Sequence, residues 1–73
     1  MTCFVVFEVK SNKQLQVFPY SIAQKDRQRM KDKAIDFANY LHGEGYPCIV
    51  EDIGIAGVGS LVYSSEHSAE FYK

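Results

Sequence analysis

Apolar and polar residues alternate near the start of the chain, and this alternation predicts the first element of structure. In CFVVFEV the odd-numbered positions from Cys3 to Val9 are all apolar, whereas the even-numbered positions begin apolar and end charged. A period of two is typical of a β-strand. After the turn residues of KSNKQ, the stretch QLQVFPY predicts a second strand with Leu15 and Val17 on its inward side. Pro19 has no N–H, so this strand should end there or lie at a sheet edge.

The strongest pattern in the sequence is an apolar stripe with helical spacing. Ser21 followed by Gln24 matches a capping box, in which the two side chains satisfy free amides at the start of a helix. Gly43 suits the left-handed residue that often ends a helix. We therefore expect a helix at about residues 22–42, packed through its stripe on one face of a sheet. The stripe consists of Met30, Ala34, Phe37, Ala38 and Leu41.

The remaining apolar runs complete a sheet. YPCIVEDIGI, entered through Pro47, predicts a third strand, and SLVYS predicts a shorter fourth one. SSEHSAEFYK, at residues 64–73, is compatible with a strand, a helical turn or a tail. The sequence thus predicts one α+β domain over residues 1–73, with about four antiparallel strands, one long amphipathic helix on one face, and the order ββαββ.

Composition limits the kind of protein that this chain can be. Of its 73 residues, 47% are apolar and 23% charged, which permits one small core and argues against wholesale disorder. Two cysteines in apolar runs, Cys3 and Cys48, are expected to be buried free thiols rather than a disulfide scaffold. The first apolar run is broken by Glu8 and follows no basic residue, unlike a signal peptide or a membrane span. We expect a cytoplasmic protein.

Charge is distributed unevenly along the chain. Residues 1–33 contain seven Lys or Arg against three acids, whereas residues 34–73 contain one Lys against six acids. Lys25, Arg29 and Lys33 follow one another at intervals of four residues on the predicted outer face of the helix. Such a ridge could lie along a phosphate backbone, and nucleic-acid binding is our alternative hypothesis. Acidic residues interrupt the ridge, however, as on a solvated, salt-bridged helix face.

The familiar catalytic and ligand-binding motifs are not matched. GIAGVG is followed by the strand-like residues 61–63 rather than by a helix, so it predicts a flexible connector and not a phosphate loop. Ser65, Glu66 and His67 are neighbours in sequence, which on a strand would place them on opposite faces. His42 suits the negative end of the helix dipole, and no two Cys or His have metal-ligand spacing. We expect no catalytic residues, no cofactor and no metal site.

An excess of apolar residues is the feature that points most clearly to a function. One helix covers one face of a sheet, so the other face should be partly apolar and available to another molecule. Aromatic residues set among polar ones are typical of protein-binding surfaces. The alternative is that the C-terminal EFYK folds back over this face. The residues predicted to bind a protein are Phe4, Val6, Tyr63, Phe71 and Tyr72.

These patterns favour a non-catalytic module that occupies a surface of another protein, as an inhibitor, adaptor or regulator. The layout is similar to that of many tiny accessory proteins, including phage-encoded inhibitors of host enzymes and antitoxin-like domains. This resemblance concerns layout alone and assigns a role to no residue. Pairing of edge strands into a homodimer would also fit the uneven charge and the small core.

Overall fold

The computed structural model describes residues 2–54 and 57–68 and contains the predicted elements in the predicted order. Four antiparallel strands form one sheet, and a single long helix packs on it, which confirms the α+β, ββαββ architecture. The elements are β1 at Thr2–Glu8, β2 at Gln14–Tyr20, α1 at Gln24–Gly43, β3 at Cys48–Ile53, β4 at Gly59–Ser64, and a 3₁₀ turn at Ser65–His67.

The strands lie in the order β2-β1-β3-β4, so β1 and β3 are central and β2 and β4 are the edges. Each side chain of β1 shares a sheet face with its partners on both neighbours: Phe4 pairs with Phe18 and with Asp52. The register shifts by one residue in β2 beside Val6 and again in β4 beside Val50. Such bulges bend an edge strand and turn its side chains locally.

The start of the helix differs from the predicted capping box. The cap residue is Ala23, and no side chain in residues 2–54 and 57–68 caps the helix. Instead, the Ser21 N–H donates a hydrogen bond of 2.6 Å to Asp26 in the first turn. A carboxylate at this end of a helix is favoured by the helix dipole. At the other end the left-handed residue is Gly45, with φ +95, rather than Gly43.

The core lies between the helix and one face of the sheet. Ala34 and Ala38 of the predicted stripe are buried there, as is Ile35, which lies outside the stripe. Small alanines let the helix approach the strands closely, so the larger side chains of the sheet fill the space. The largest fully buried side chains are those of Phe4, Val6, Cys48, Val50 and Tyr63.

The predicted orientation of β1 is therefore wrong. The even positions Phe4 and Val6 face the helix, whereas the odd positions were expected to do so. Both faces of this strand are apolar at residues 3–7, so alternation alone could not distinguish them. The distinction comes from β3, where Val50 pairs with Val6 and contributes to the same core.

Candidate functional site

The face of the sheet opposite the helix is apolar and carries a single charged side chain among the described strand residues. We call it the open face. None of its apolar residues belongs to the core beneath the helix or to the side chains packed against that core. Leu61 is 52% exposed, Val5 at the centre is buried at 4% exposure, and the others are half-buried. We define the open face by Cys3, Val5, Phe7, Val17, Ile49, Glu51, Ile53 and Leu61; the register partners Pro19, Gln14 and Ser64 lie at its rim.

The residues predicted for this surface are not the ones found there. Phe4 and Val6 are 0% exposed and Tyr63 is 1% exposed, so the expectation that they lie on an exposed face is wrong. All three contact the helix side of the core. Phe71 and Tyr72 lie outside the described residues, as does the rest of EFYK. An apolar face away from the helix is nevertheless present, built from the alternate positions of the same strands.

Glu51 lies near the centre of the open face, between Val5 on β1 and Leu61 on β4. Its side chain leans over β4, where a Cβ added to Gly59 would clash with Glu51 Oε1. Glycine at this position therefore leaves room for the carboxylate above the edge strand. Among the described residues, Glu51 has no hydrogen-bond or ion-pair partner.

The two sheet edges differ in how well they are protected. β2 contains Pro19, which cannot donate to an added strand. β4, with the sequence GSLVYS, contains neither proline nor a charged residue. Its bulge lies at Val62, because Tyr63 pairs with Val50 and Leu61 with Glu51. The stretch from Gly59 to Leu61 is therefore a regular, exposed edge.

At the start of the helix, a polar cluster ties α1 to the sheet. Arg27 forms a 2.7 Å ion pair with Asp52, and the Tyr20 hydroxyl donates a 2.5 Å hydrogen bond to the same carboxylate. The Arg27 guanidinium also lies over the rings of Phe4 and Tyr20, at 5.3 and 5.9 Å from their centroids. These contacts stabilise the packing of α1 on β1, β2 and β3.

Alkaline pH should weaken this fold. Burial raises the pKa of the Tyr20 phenol, and the hydrogen bond to Asp52 raises it further; burial and then the charge of Glu8 raise the pKa of the Cys48 thiol. The folded chain holds both protons more tightly than the unfolded chain does. The stability contributed by each proton is therefore fully present below the unfolded-state pKa, about 8.5 for the thiol and about 10 for the phenol. It is lost as pH rises through the folded-state pKa.

The measurement is the urea midpoint at about pH 8 and about pH 11, in the wild-type chain and in Tyr20→Phe. We expect a lower midpoint at the higher pH, and a smaller drop in the variant, which lacks the phenol proton. An equal drop in both chains would remove Tyr20 from this explanation.

A second polar cluster joins the end of the helix to β3 and to the 3₁₀ turn. Ser65 Oγ accepts a 2.9 Å hydrogen bond from the Cys48 N–H and lies 2.9 Å from His42 Nδ1. Ser65 is buried, so its hydroxyl satisfies a backbone amide that water does not reach freely. In the sequence, Ser65 is notable only as a neighbour of Glu66 and His67. The contact with His42 spans 23 residues and has no local sequence signal.

Ser65→Ala should destabilise the chain by about 1–2 kcal/mol, because the Cys48 amide then loses its acceptor in a buried position. His42→Ala should cost less, about 0.5–1 kcal/mol, because the His42 ring is exposed and its bond to Ser65 replaces a bond to water, so the net gain in the wild-type chain is small. Urea unfolding of the two variants measures the difference. A larger loss in His42→Ala would show that anchoring of the helix end, and not the amide, is the important contact.

The basic helix ridge is partly neutralised by its own acids. Arg29 forms a 2.7 Å ion pair with Asp26, while Lys25 and Lys33 are exposed. The hydrogen bond from the Ser21 amide, followed by the bonds from the Ser21 and Arg29 side chains, lowers the pKa of Asp26. This carboxylate therefore remains charged beside Arg29. The two side chains line a shallow surface depression of about 300 Å³, together with Ala23 and Lys25.

Three further features raised by the sequence can be compared with the described residues. No group of three or more His, Cys, Asp or Glu side chains in residues 2–54 and 57–68 could hold a metal ion. Gly57 adopts φ +76, and its N–H donates to the Gly54 carbonyl, as in a turn between strands. No helix in the described part of the chain is long and apolar enough to cross a membrane.

The chain matches no protein-family model, and comparison with curated proteins and with solved structures finds no similar protein. The fold itself defines the class: a small α+β domain in which one helix packs on a four-stranded antiparallel sheet.

Proposed function

We propose that this chain is a cytoplasmic, non-catalytic protein-binding module that acts by occupying a surface of another protein through its open face. The observation that carries the proposal is the set of apolar side chains opposite the helix, most of them half-buried or exposed. An apolar surface of this kind in a small domain favours association, because burial against a partner removes it from water. Inhibitor, adaptor and regulator are the roles open to such a module.

A different protein suits the open face better than a second copy does. In a symmetric dimer the same face would meet itself, and Glu51 of each copy would enter an apolar interface. The open face has no basic side chain among the described strand residues, so neither copy could neutralise the other's carboxylate there. An unpaired charge that loses its water is strongly unfavourable. A partner with its own cation avoids this cost.

The experiment places a photo-crosslinking amino acid, benzoylphenylalanine, at one of two exposed positions. Leu61 on the open face is 52% exposed, and Tyr40 on the outer helix face is 65% exposed, so the two positions are comparably accessible. Each purified chain is added to a lysate of the cells in which the protein naturally occurs and is irradiated there. The adducts are identified by mass spectrometry.

We expect one defined protein adduct from position 61 and none of that protein from position 40. Adding Ile53→Asp, also on the open face, should abolish the adduct, whereas adding Asp36→Lys on the outer helix should leave it. Adducts to the chain itself would indicate a homodimer. Adducts to nucleic acid or protein at position 40 alone would instead support the basic helix with Lys25, Arg29 and Lys33.

A further inference from the structure

We propose that the partner supplies an extended segment that adds to the β4 edge and carries a Lys or Arg side chain to Glu51. This inference rests on the proposed function and states the chemistry of the partner. It follows from three observations that meet at the same corner of the sheet: a carboxylate with no partner among the described residues, a glycine beneath it, and a strand edge without proline or charge in Gly59–Ser64.

The first of these observations is the position of the Glu51 carboxylate. Glu51 Oε1 lies where a side chain on Gly59 would otherwise be, so the charge is displaced from the centre of the face toward β4. A strand added to β4 would lie about 5 Å farther out. A Lys or Arg side chain on the open-face side of that strand has the length to reach Glu51 across β4.

The exposed edge of β4 can accept an added strand. Residues Gly59–Leu61 are regular and exposed, and β4 contains no proline or charge that would oppose an added strand. Main-chain hydrogen bonds would hold the incoming segment, and its side chains would point alternately to the two faces.

The expected recognition pattern follows from this alternation. The basic residue should have apolar residues two positions before and after it, because these would extend the apolar surface beside Leu61 and Ile53. In this arrangement the cation neutralises the only charge on the open face among the described strand residues. The ion pair selects the partner and its register, while apolar burial contributes most of the affinity.

The test is selection of random octapeptides displayed on phage against the immobilised full chain, its Glu51→Lys variant and its Asp36→Lys variant. Asp36→Lys is the matched control, because it makes the same change in net charge on the exposed outer helix face. Unfolding midpoints of all three chains verify that each is folded. The best peptide from the wild-type selection is synthesised, and its contacts are mapped by amide chemical shifts of the ¹⁵N-labelled protein.

The wild-type and Asp36→Lys chains should select peptides with one Lys or Arg flanked at both second neighbours by apolar residues. Glu51→Lys should select Asp or Glu at that position and bind the wild-type peptide about tenfold more weakly, with Glu51→Gln intermediate. The largest shift changes should fall on Ser60, Leu61 and Val62.

The inference is overturned if no peptide is selected, if Glu51→Lys keeps the same charge preference, or if the shift changes fall on β2 or the helix. A wild-type chain that dimerises through β4 would overturn it as well. These failures are distinguishable from failure of the proposed function: a protein adduct from position 61 that depends on Ile53 would still establish the open face as a binding surface.

Discussion

Phe4→Ala will destabilise the chain by about 3–5 kcal/mol and leave a large part of it unfolded at room temperature. Phe4 is fully buried on the helix side of the sheet. Its ring lies 4.8 Å from the Tyr20 ring, and the Arg27 guanidinium covers it. Truncation leaves a cavity between these groups and the helix. Urea unfolding, followed by far-UV circular dichroism, measures the loss.

Phe7→Ala is the matched control, because it removes the same side chain from the same strand on the open face. Phe7 is only half-buried, so we expect a loss below about 2 kcal/mol. The two variants together test the orientation of β1. A larger loss for Phe7→Ala than for Phe4→Ala would place the odd positions under the helix, as the sequence pattern alone suggested.

Asp52→Ala should be the second most damaging of these changes, at about 2–3 kcal/mol. The carboxylate accepts hydrogen bonds from both Arg27 and the Tyr20 hydroxyl, and its removal leaves both donors without their acceptor. The cost stays below that of a deeply buried ion pair, because the Arg27 side chain is 38% exposed and the Asp52 side chain 17% exposed, so water screens the charges.

Asp52→Asn separates charge from hydrogen bonding. The amide oxygen can still accept from Tyr20, so we expect a loss of about 1 kcal/mol, reflecting the missing charge opposite Arg27. Denaturant titrations of both variants at neutral pH give the comparison. Equal stabilities for Asp52→Ala and the wild-type chain would contradict this expectation. They would mean that the bonds from Arg27 and Tyr20 to Asp52 make no net contribution to the free energy of unfolding.

Much of the fold could be predicted from local patterns. The helix has an apolar stripe with regular spacing, and Ala34 and Ala38 of that stripe are buried as expected. The strands follow from alternation and from the turn residues between them. Each of these signals is confined to residues that are close in sequence, so the helix and the strands can be located from this one sequence. The order ββαββ then leaves few arrangements for one helix and a small antiparallel sheet.

The orientation of the strands could not be predicted in this way. At residues 3–7 of β1 both faces are apolar. The strand pairs with β3, which lies far from it in sequence. The side that meets the helix depends on the residues that β3 and β4 place there, and a bulge in β4 changes which of its side chains point to that side. These are contacts between distant segments, and no local pattern specifies them.

The candidate site likewise combines one feature that the sequence predicted with others that depend on contacts between distant segments. Composition predicted an apolar face away from the helix, but an error of one position in β1 exchanged Phe4 and Val6 for Val5 and Phe7. No sequence pattern marks Glu51 as a recognition residue. Its significance depends on its position over Gly59, which the chain brings beside it only through the pairing of β3 with β4.

The two cysteines provide the most direct measurement of whether the open face is available to a partner. Cys3 lies on that face and is partly exposed, whereas Cys48 is 0% exposed in the core. The full chain is treated with a thiol-reactive dye under native conditions at several protein concentrations. We predict rapid labelling of Cys3, independent of concentration, and labelling of Cys48 only at the rate of unfolding. Equally slow labelling of both thiols, or protection of Cys3 that grows with concentration, would contradict an open face reserved for another protein.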